Sequence, residues 1–239
     1  MFFIELNRVT VAYYDNPVVL DVSAQVPAGV MVALVGPNGA GKTTLLQAMV
    51  GLINPSYGSI LFFGGTLEQN RHRIAYVPQR MSVDWDFPAL VLDVVLMGCY
   101  KKLGWLAWPH KSQHMQALQA LEQVGMVEFA TRPIGQLSGG QQQRVFLARA
   151  LMQEADIYFL DEPFSGIDAF TENTLITVFK KLCMQGKTIV AVHHDLQTMQ
   201  LYFDTLLLMN RSCILYDSVD NVKQEHFIAA YGKKNPFLK

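Results

Sequence analysis

Several things are scarce in this 239-residue chain, and each scarcity excludes something. Its three cysteines, Cys99, Cys183 and Cys213, are far apart and odd in number. That argues against a disulfide framework or a cysteine-based zinc site, and for buried thiols in a reducing compartment. Charge of one sign is also lacking: Lys+Arg number 19 against 20 Asp+Glu, a net charge of −1. No global basic field points to nucleic acid, and short pairs such as Lys101-Lys102, Lys180-Lys181 and Lys233-Lys234 read as solvated surface. No apolar run approaches the ~20 residues needed to span a bilayer, and the longest, Ala89 to Cys99, is broken by Asp93. No N-terminal signal is visible, because Met1-Phe2-Phe3-Ile4 leads directly into Glu5 and an alternating strand pattern. There is no internal repeat, low-complexity tract or heptad insertion. The chain therefore reads as soluble, yet 51% hydrophobic residues and a mean hydropathy of +0.18 are high for a cytosolic protein. A surface buried against a partner and a methionine-rich core explain that equally well.

Against this background one stretch stands out. Gly36-Pro37-Asn38-Gly39-Ala40-Gly41-Lys42-Thr43-Thr44 fits G-x-x-x-x-G-K-[ST]. An apolar run, Val30 to Val35, precedes it as a buried strand. The segment Lys42 to Val50 follows with helical spacing, Leu45, Leu46 and Met49 sharing one side and Gly51 acting as the stop. A loop with glycines at both ends can turn its N–H groups inward as a nest for phosphate oxygens, and the helix start adds partial positive charge. Lys42 supplies a mobile full charge for the outer phosphates, and the Thr43 hydroxyl can ligate Mg²⁺. The pattern predicts binding of a nucleoside triphosphate.

Elsewhere the pattern predicts two short strands between Phe2 and Tyr14, a turn at Asp15-Asn16-Pro17 and a strand from Leu20 to Val26. A second turn at 54–58 leads to strands at Ile60–Phe63 and Ile74–Val77. From Val83 to Pro133 helical stretches replace strands, Leu90 to Tyr100 and Ser112 to Val124, separated by the aromatic loop Gly104 to Pro109. Helices then alternate with strands: Gln141–Met152, Ile157–Leu160, Ala169–Met184, Thr188–Val192 and Leu196–Tyr202. Strands Thr205–Met209 and Cys213–Tyr216 and a terminal helix from Asp220 complete the chain. Such alternation means an α/β fold with a mainly parallel sheet covered by helices on both faces. One nucleotide-binding core (1–82 and 134–239, including an N-terminal antiparallel β subdomain) with an inserted helical subdomain (83–133) is expected.

Two further strings carry chemistry. The strand Ile157-Tyr158-Phe159-Leu160 ends in Asp161-Glu162, and in parallel sheets ligand chemistry gathers at carboxyl ends of strands. Consecutive residues diverge there, so Asp161 can hold Mg²⁺ while Glu162 polarises the attacking water; a plain acid pair capping the turn into Pro163 is the alternative. The second string is Leu137-Ser138-Gly139-Gly140-Gln141, where Ser138 is a good N-cap and the glycines expose N–H groups at a helix start. It is a second anion-binding end, and it supplies a motive for a dimer.

The chain resembles an ABC-type ATPase subunit over essentially its whole length. GPNGAGKTT, LSGGQ and IYFLDE occur in the family's order, with a glutamine in VPQ (Gln79), a loop SGID (Ser165 to Asp168) and a switch histidine in VHHD. The resemblance implies a P-loop NTPase core that uses ATP and Mg²⁺, the metal being held by Thr43, Gln79 and Asp161. It implies that Tyr13 stacks on adenine, with Tyr14 the competing candidate. Gln79 would contact Mg²⁺ and the attacking water; Glu162, His194 and Gln79 would form the catalytic set, His193 being structural. It further implies a homodimer sandwiching two ATP head to tail. There Ser138, Gly139, Gly140 and Gln141 face the partner's nucleotide and Asp168 reaches across.

Three readings of such a chain compete: the energy subunit of a membrane transporter, a soluble ABC protein acting on ribosomes or nucleic acid, and an ABC ATPase that assembles protein complexes. A single set of sites without a basic stripe favours the transporter. Segments AYVPQR, VDWDFP and DVVLMG, with VHHDL, are similar to the manganese/zinc/iron importer ATPases, although Cys99 departs from the arginine of that pattern. By this resemblance the chain lies on the cytoplasmic face of the cell (inner) membrane. It is held there by permease subunits, Trp85 and Phe87 anchoring a permease helix, and is served indirectly by an extracytoplasmic metal-binding protein. Trp85 and Phe87 as core residues of the helical block are the plainer alternative. His110 and His114, four apart, lack the further ligands of a transition-metal site.

Overall fold

The computed structural model describes residues 2–14, 16–79, 88–103 and 108–233. The segment containing Trp85 and Phe87, and most of the loop expected at 104–109, lie outside the described residues.

Two sheets form. Strands β1 (Phe2–Tyr13), β2 (Asn16–Pro27) and β4 (Tyr57–Phe62) make an antiparallel sheet in the order β2-β1-β4. The second sheet has the order β5-β6-β7-β3-β8-β9. Its members are β3 (Met31–Val35), β5 (Ile74–Val77), β6 (Ile157–Asp161), β7 (Thr188–Val192), β8 (Thr205–Asn210) and β9 (Ser212–Ser218). All its pairings are parallel except the hairpin β8–β9.

The three central strands β3, β6 and β7 are buried at every position, as a parallel sheet covered on both faces requires. Their period of two sorts the core. Met31, Ala33, Val35, Tyr158 and Leu160 belong to one apolar cluster, while Val32, Leu34, Ile157 and Phe159 belong to another. The second cluster packs under the antiparallel sheet and helix α1 (Lys42–Met49). The first is shared with helices from the later chain: α3 (Val91–Leu96), α5 (Lys111–Gln123), α6 (Gly139–Met152) and α7 (Ala169–Met184). Short helices α2 (Leu67–Asn70), α4 (Tyr100–Leu103) and α8 (Met199–Tyr202) connect elements, and α9 (Gln224–Tyr231) packs on β8 and β9.

Between β5 and β6 the described chain is helical, and its two ends are tied together. Leu90 bridges Pro133, and the amides of Val91 and Ile134 donate to Arg132 and Ala89 at 2.9 Å each. At the foot of the sheet, Asp156 accepts from Arg73 (2.6 Å) and Lys187 (2.7 Å), linking the starts of β5, β6 and β7. Burial pushes the Asp156 carboxyl up, but the two cationic donors outweigh it and the net shift is downward.

Several expected boundaries differ. Phe2 to Tyr13 is one strand, because Arg8 takes a left-handed φ of 52° and the register shifts between Leu6 and Val9 instead of the chain breaking. Asn16 and Pro17 already belong to β2, and Tyr57 and Gly58 already belong to β4. The helix expected from Leu90 to Tyr100 passes through a 3-10 turn at Met97–Cys99. Of the helix expected over Leu196–Tyr202 only Met199–Tyr202 forms; Asp195 instead accepts from the Gln197 amide at 2.8 Å. The three cysteines are free thiols, but only Cys99 is buried, Cys183 and Cys213 being half-buried. Among the described residues no helix is long and apolar enough to cross a membrane.

Candidate functional site

The loop after β3 has the shape its glycines foretold. Gly39 and Gly41 have φ of +79° and +89°, a region open to glycine at little cost, and Gly41 is the N-cap of α1. Gly36 is needed for a different reason: a Cβ there would lie 2.1 Å from the carbonyl oxygen of Met209. Pro37 accepts from the Ala40 amide at 3.1 Å, closing the turn around Asn38. The Lys42 ammonium donates to the carbonyls of Gly36 (2.8 Å) and Pro37 (2.9 Å), so it lies along the loop mouth. Its pKa is lowered by burial, against the raising effect of Glu162 and Asp161, so both acids face the same charge. Thr44 follows on the first turn of α1.

The acids separate as their consecutive positions require. Asp161 ends β6 and is 1% exposed; its Oδ1 accepts from the Thr43 hydroxyl at 3.3 Å. Burial raises its pKa to about 6, with Glu162 adding to the shift and Thr43 and Lys42 opposing it. A desolvated carboxylate beside a hydroxyl is a pair of hard oxygen donors that fits Mg²⁺. Glu162 turns the other way with a left-handed φ of 52°, and its Oε2 accepts from Gln79 Nε2 at 3.0 Å. Thus Thr43 and Asp161 form one pair and Gln79 and Glu162 a second. Gln79, expected also at the metal, is bonded on the glutamate side.

Ser138 caps α6: its hydroxyl accepts from the Gln141 amide at 3.4 Å, and the Gln141 side chain accepts from the Ser138 amide at 2.9 Å. Gln141 is thereby engaged in its own chain. Gly140 packs so closely on the loop after β6 that a Cβ would lie 2.7 Å from the Gly166 carbonyl. Together Gln79, Ser138, Gly139, Gly140, Gln143, Glu162, Ser165 and Gly166 line one cleft, which no residue of the loop 36–44 joins. Asp168 does not extend outward unengaged. It caps α7, accepting from the amide (3.0 Å) and hydroxyl (2.8 Å) of Thr171, and these bonds hold its carboxyl below the usual range.

His193 is buried, 3% exposed, with Nε2 2.9 Å from the Thr198 hydroxyl and its ring against Phe164 and Phe203. His194 is exposed. Tyr13 is half exposed at 45%, and Tyr14 is fully exposed. Both candidates for a nucleobase platform are therefore accessible. His110 caps α5 and its carbonyl meets His114 Nδ1 at 3.1 Å. Among the described residues no group of three or more His, Cys, Asp or Glu is placed to hold a metal ion. One coupling had no signal in the sequence: the Gly36 backbone amide lowers the pKa of the Tyr231 hydroxyl, from α9, against the raising effect of burial.

A family model described as ABC transporter matches residues 19–165. The manganese transport system ATP-binding protein MntB of Bacillus subtilis is 52% identical, over 100% of this chain and 96% of its own length. The zinc transport system ATP-binding protein TroB of Treponema pallidum is 50% identical, over 97% and 87%. Among solved structures, a metal-chelate type ABC transporter in an inward-facing conformation superimposes with a TM-score of 0.83 at 26% identity, covering 97% of this chain and 89% of that one. A dimeric ATP-binding cassette bound to ADP and Pi after hydrolysis gives 0.81 at 27% identity, covering 90% and 98%.

Proposed function

This chain belongs to the ABC transporter family, as an ATP-binding subunit with ATPase activity, and from that premise we propose that it drives import of manganese or zinc through a membrane permease. The observation that carries the cargo is the match, over nearly the whole length of both chains, to relatives named for those two ions. In this reading two copies sandwich two ATP head to tail on the cytoplasmic face of the cell membrane, attached through the permease. An extracytoplasmic metal-binding protein delivers the ion. Residues 1–82 and 134–239 act as the nucleotide-binding core and 83–133 as the helical subdomain that meets the permease.

The phosphate loop, Gly36 to Thr44, holds the triphosphate by its amides and by Lys42, whose ammonium exchanges its two carbonyl partners for phosphate oxygens. Thr43, Gln79 and Asp161 would hold Mg²⁺, which when bound neutralises charge on the phosphates. Glu162 accepts the proton of the attacking water, oriented by Gln79. Tyr13 receives the adenine, and the exposed His194 contacts the γ-phosphate. Ser138, Gly139, Gly140 and Gln141 meet the nucleotide of the partner copy, and Asp168 closes over the seam. Support for two-chain sites comes from the capped helix start at Ser138, which lines a cleft that no residue of its own phosphate loop joins. Closure then depends on the γ-phosphate, and its release reopens the pair.

The test is co-purification followed by transport. The tagged chain should bring down a multi-span membrane protein. Proteoliposomes holding both should take up Mn²⁺ or Zn²⁺ only with ATP, Fe²⁺ being run in parallel as the third ion of the sequence expectation. Uptake of none of these, or recovery of ribosomes or DNA in place of a permease, overturns the reading.

A further inference from the structure

The phosphate loop does not stand alone on its strand and helix. Strand β8 runs beside β3, pairing Leu208 with Val35, and delivers the Met209 carbonyl to the space where Gly36 has no side chain. The Met209 Cε atom lies 3.5 Å from the corresponding position at Gly41. Two residues on, Arg211 reverses the chain with a φ of 62°, and its amide donates to the Ala40 carbonyl at 3.0 Å. The end of β8 and the turn after it thus touch the loop at Gly36, Ala40 and Gly41. Asn210, the last residue of β8 before that turn, donates from Nδ2 to the Ala230 carbonyl at 3.0 Å, tying the strand end to the end of α9. At the next residue, Tyr231, the Gly36 backbone amide draws the hydroxyl's pKa down against the larger raising effect of burial. The Tyr231 ring is stacked on Phe227, itself 1% exposed, with centroids 5.9 Å apart. Burial pushes the Tyr231 hydroxyl up to about 12, so it stays neutral.

We propose that this closed circuit of loop, hairpin turn and terminal helix is a brace, with Asn210 and Tyr231 as positioning residues that hold the phosphate loop ready for the triphosphate. The proposal rests on the loop being the ATP site and is independent of the cargo. The Gly36 carbonyl is one of the two partners of Lys42, so fixing the Gly36 backbone also fixes where that ammonium starts. A loop already set in its binding shape loses less freedom when the nucleotide arrives. The brace touches the loop and not the acids. It therefore favours ground state and transition state alike and acts on KM more than on kcat.

The experiment uses the purified full chain with Tyr231→Phe, Asn210→Ala and both together. ATPase rates against ATP concentration, binding of a fluorescent ATP analogue and melting without nucleotide are measured for each. Each single change should raise KM and the analogue's Kd about fivefold, the loss expected of one neutral hydrogen bond, with kcat within about twofold. The double variant should fall short of the product of the two, because both changes open the same circuit. An unchanged KM overturns the brace, as does a lowered melting point with unaltered nucleotide affinity. Should Asn210→Ala fail to fold, Asn210→Asp removes the donor at constant size, and Tyr231→Phe decides independently. Failure of the unaltered chain to bind the analogue would instead count against the ATP site itself.

Discussion

The phosphate loop and the Ser138 cleft lie at opposite ends of the proposed chemistry, and they are finished to different degrees. The loop is complete within one chain. Its glycine turns are fixed, its lysine has partners, and a strand, a helix and a hairpin turn press on it from three sides. At the cleft, a capped helix start and the Gly166 turn face open space beside the Glu162–Gln79 pair. Just beyond, Phe170 is 83% exposed at the start of α7. In the proposed reading one region binds the nucleotide and the other is completed by the partner copy, so binding and turnover should be separable by substitution.

Glu162→Gln is the largest expected break between them. The amide can still hold Gln79, but it cannot take a proton from water. Turnover should fall by about 10²-fold to 10⁴-fold, the usual worth of a positioned general base, while ATP affinity changes little. Steady-state hydrolysis and equilibrium binding on the same preparation check this, and near-normal turnover would remove Glu162 from its role. Ser138→Arg sharpens the comparison from the other side. It adds bulk and charge at the cleft without touching the loop, so nucleotide binding should persist while ATP-dependent dimers disappear and hydrolysis drops about tenfold or more. Loss of the cap alone costs about 1 kcal/mol, so the monomer should still fold. Dimers that survive in light scattering with ATP would mean that the cleft is not a shared surface.

How much of this was legible in the sequence follows the same division. The phosphate loop, the buried strands β3, β6 and β7, and the Ser138 cap are local patterns, and each formed where its residues pointed. What was missed depends on contacts between distant segments. The strand β1 reads as two because the bulge at Arg8 changes the phase of its alternation, and the sequence alone does not distinguish a bulge from a turn. The helix at 90–100 gives way to a 3-10 turn where Gly98 meets α6, a Cβ there lying 2.4 Å from the Arg149 carbonyl. Asp168 also caps α7, a role the sequence reading did not assign although a carboxylate before a helix start caps it whenever the geometry allows. Asn210 and Tyr231 carry no motif. Their meaning appears only when the end of the chain is seen against the loop near its beginning.

The smallest expected effect concerns two buried groups that titrate in opposite senses. Burial, with His194 beside it, holds His193 down to about 4, below the ~6.5 of a free histidine. Its contribution to stability is therefore whole above about pH 6.5 and is lost as pH falls toward 4. Asp161, raised by burial to about 6 from an ordinary value near ~3.9, runs the other way: its contribution is whole below that lower value and is lost as pH rises through 6. Between about pH 4 and 6 the two slopes oppose, and the nucleotide-free chain should show only a shallow dependence from this pair. His193→Gln retains a polar side chain toward Thr198 but does not titrate, which leaves the Asp161 slope exposed. Urea midpoints should then fall with rising pH across that window, relative to the unaltered chain, and Asp161→Asn should tilt the profile the opposite way. Parallel profiles for all three proteins would mean that neither group is held away from its ordinary pKa. The desolvated carboxylate offered to Mg²⁺ beside Thr43 would then lose its electrostatic basis.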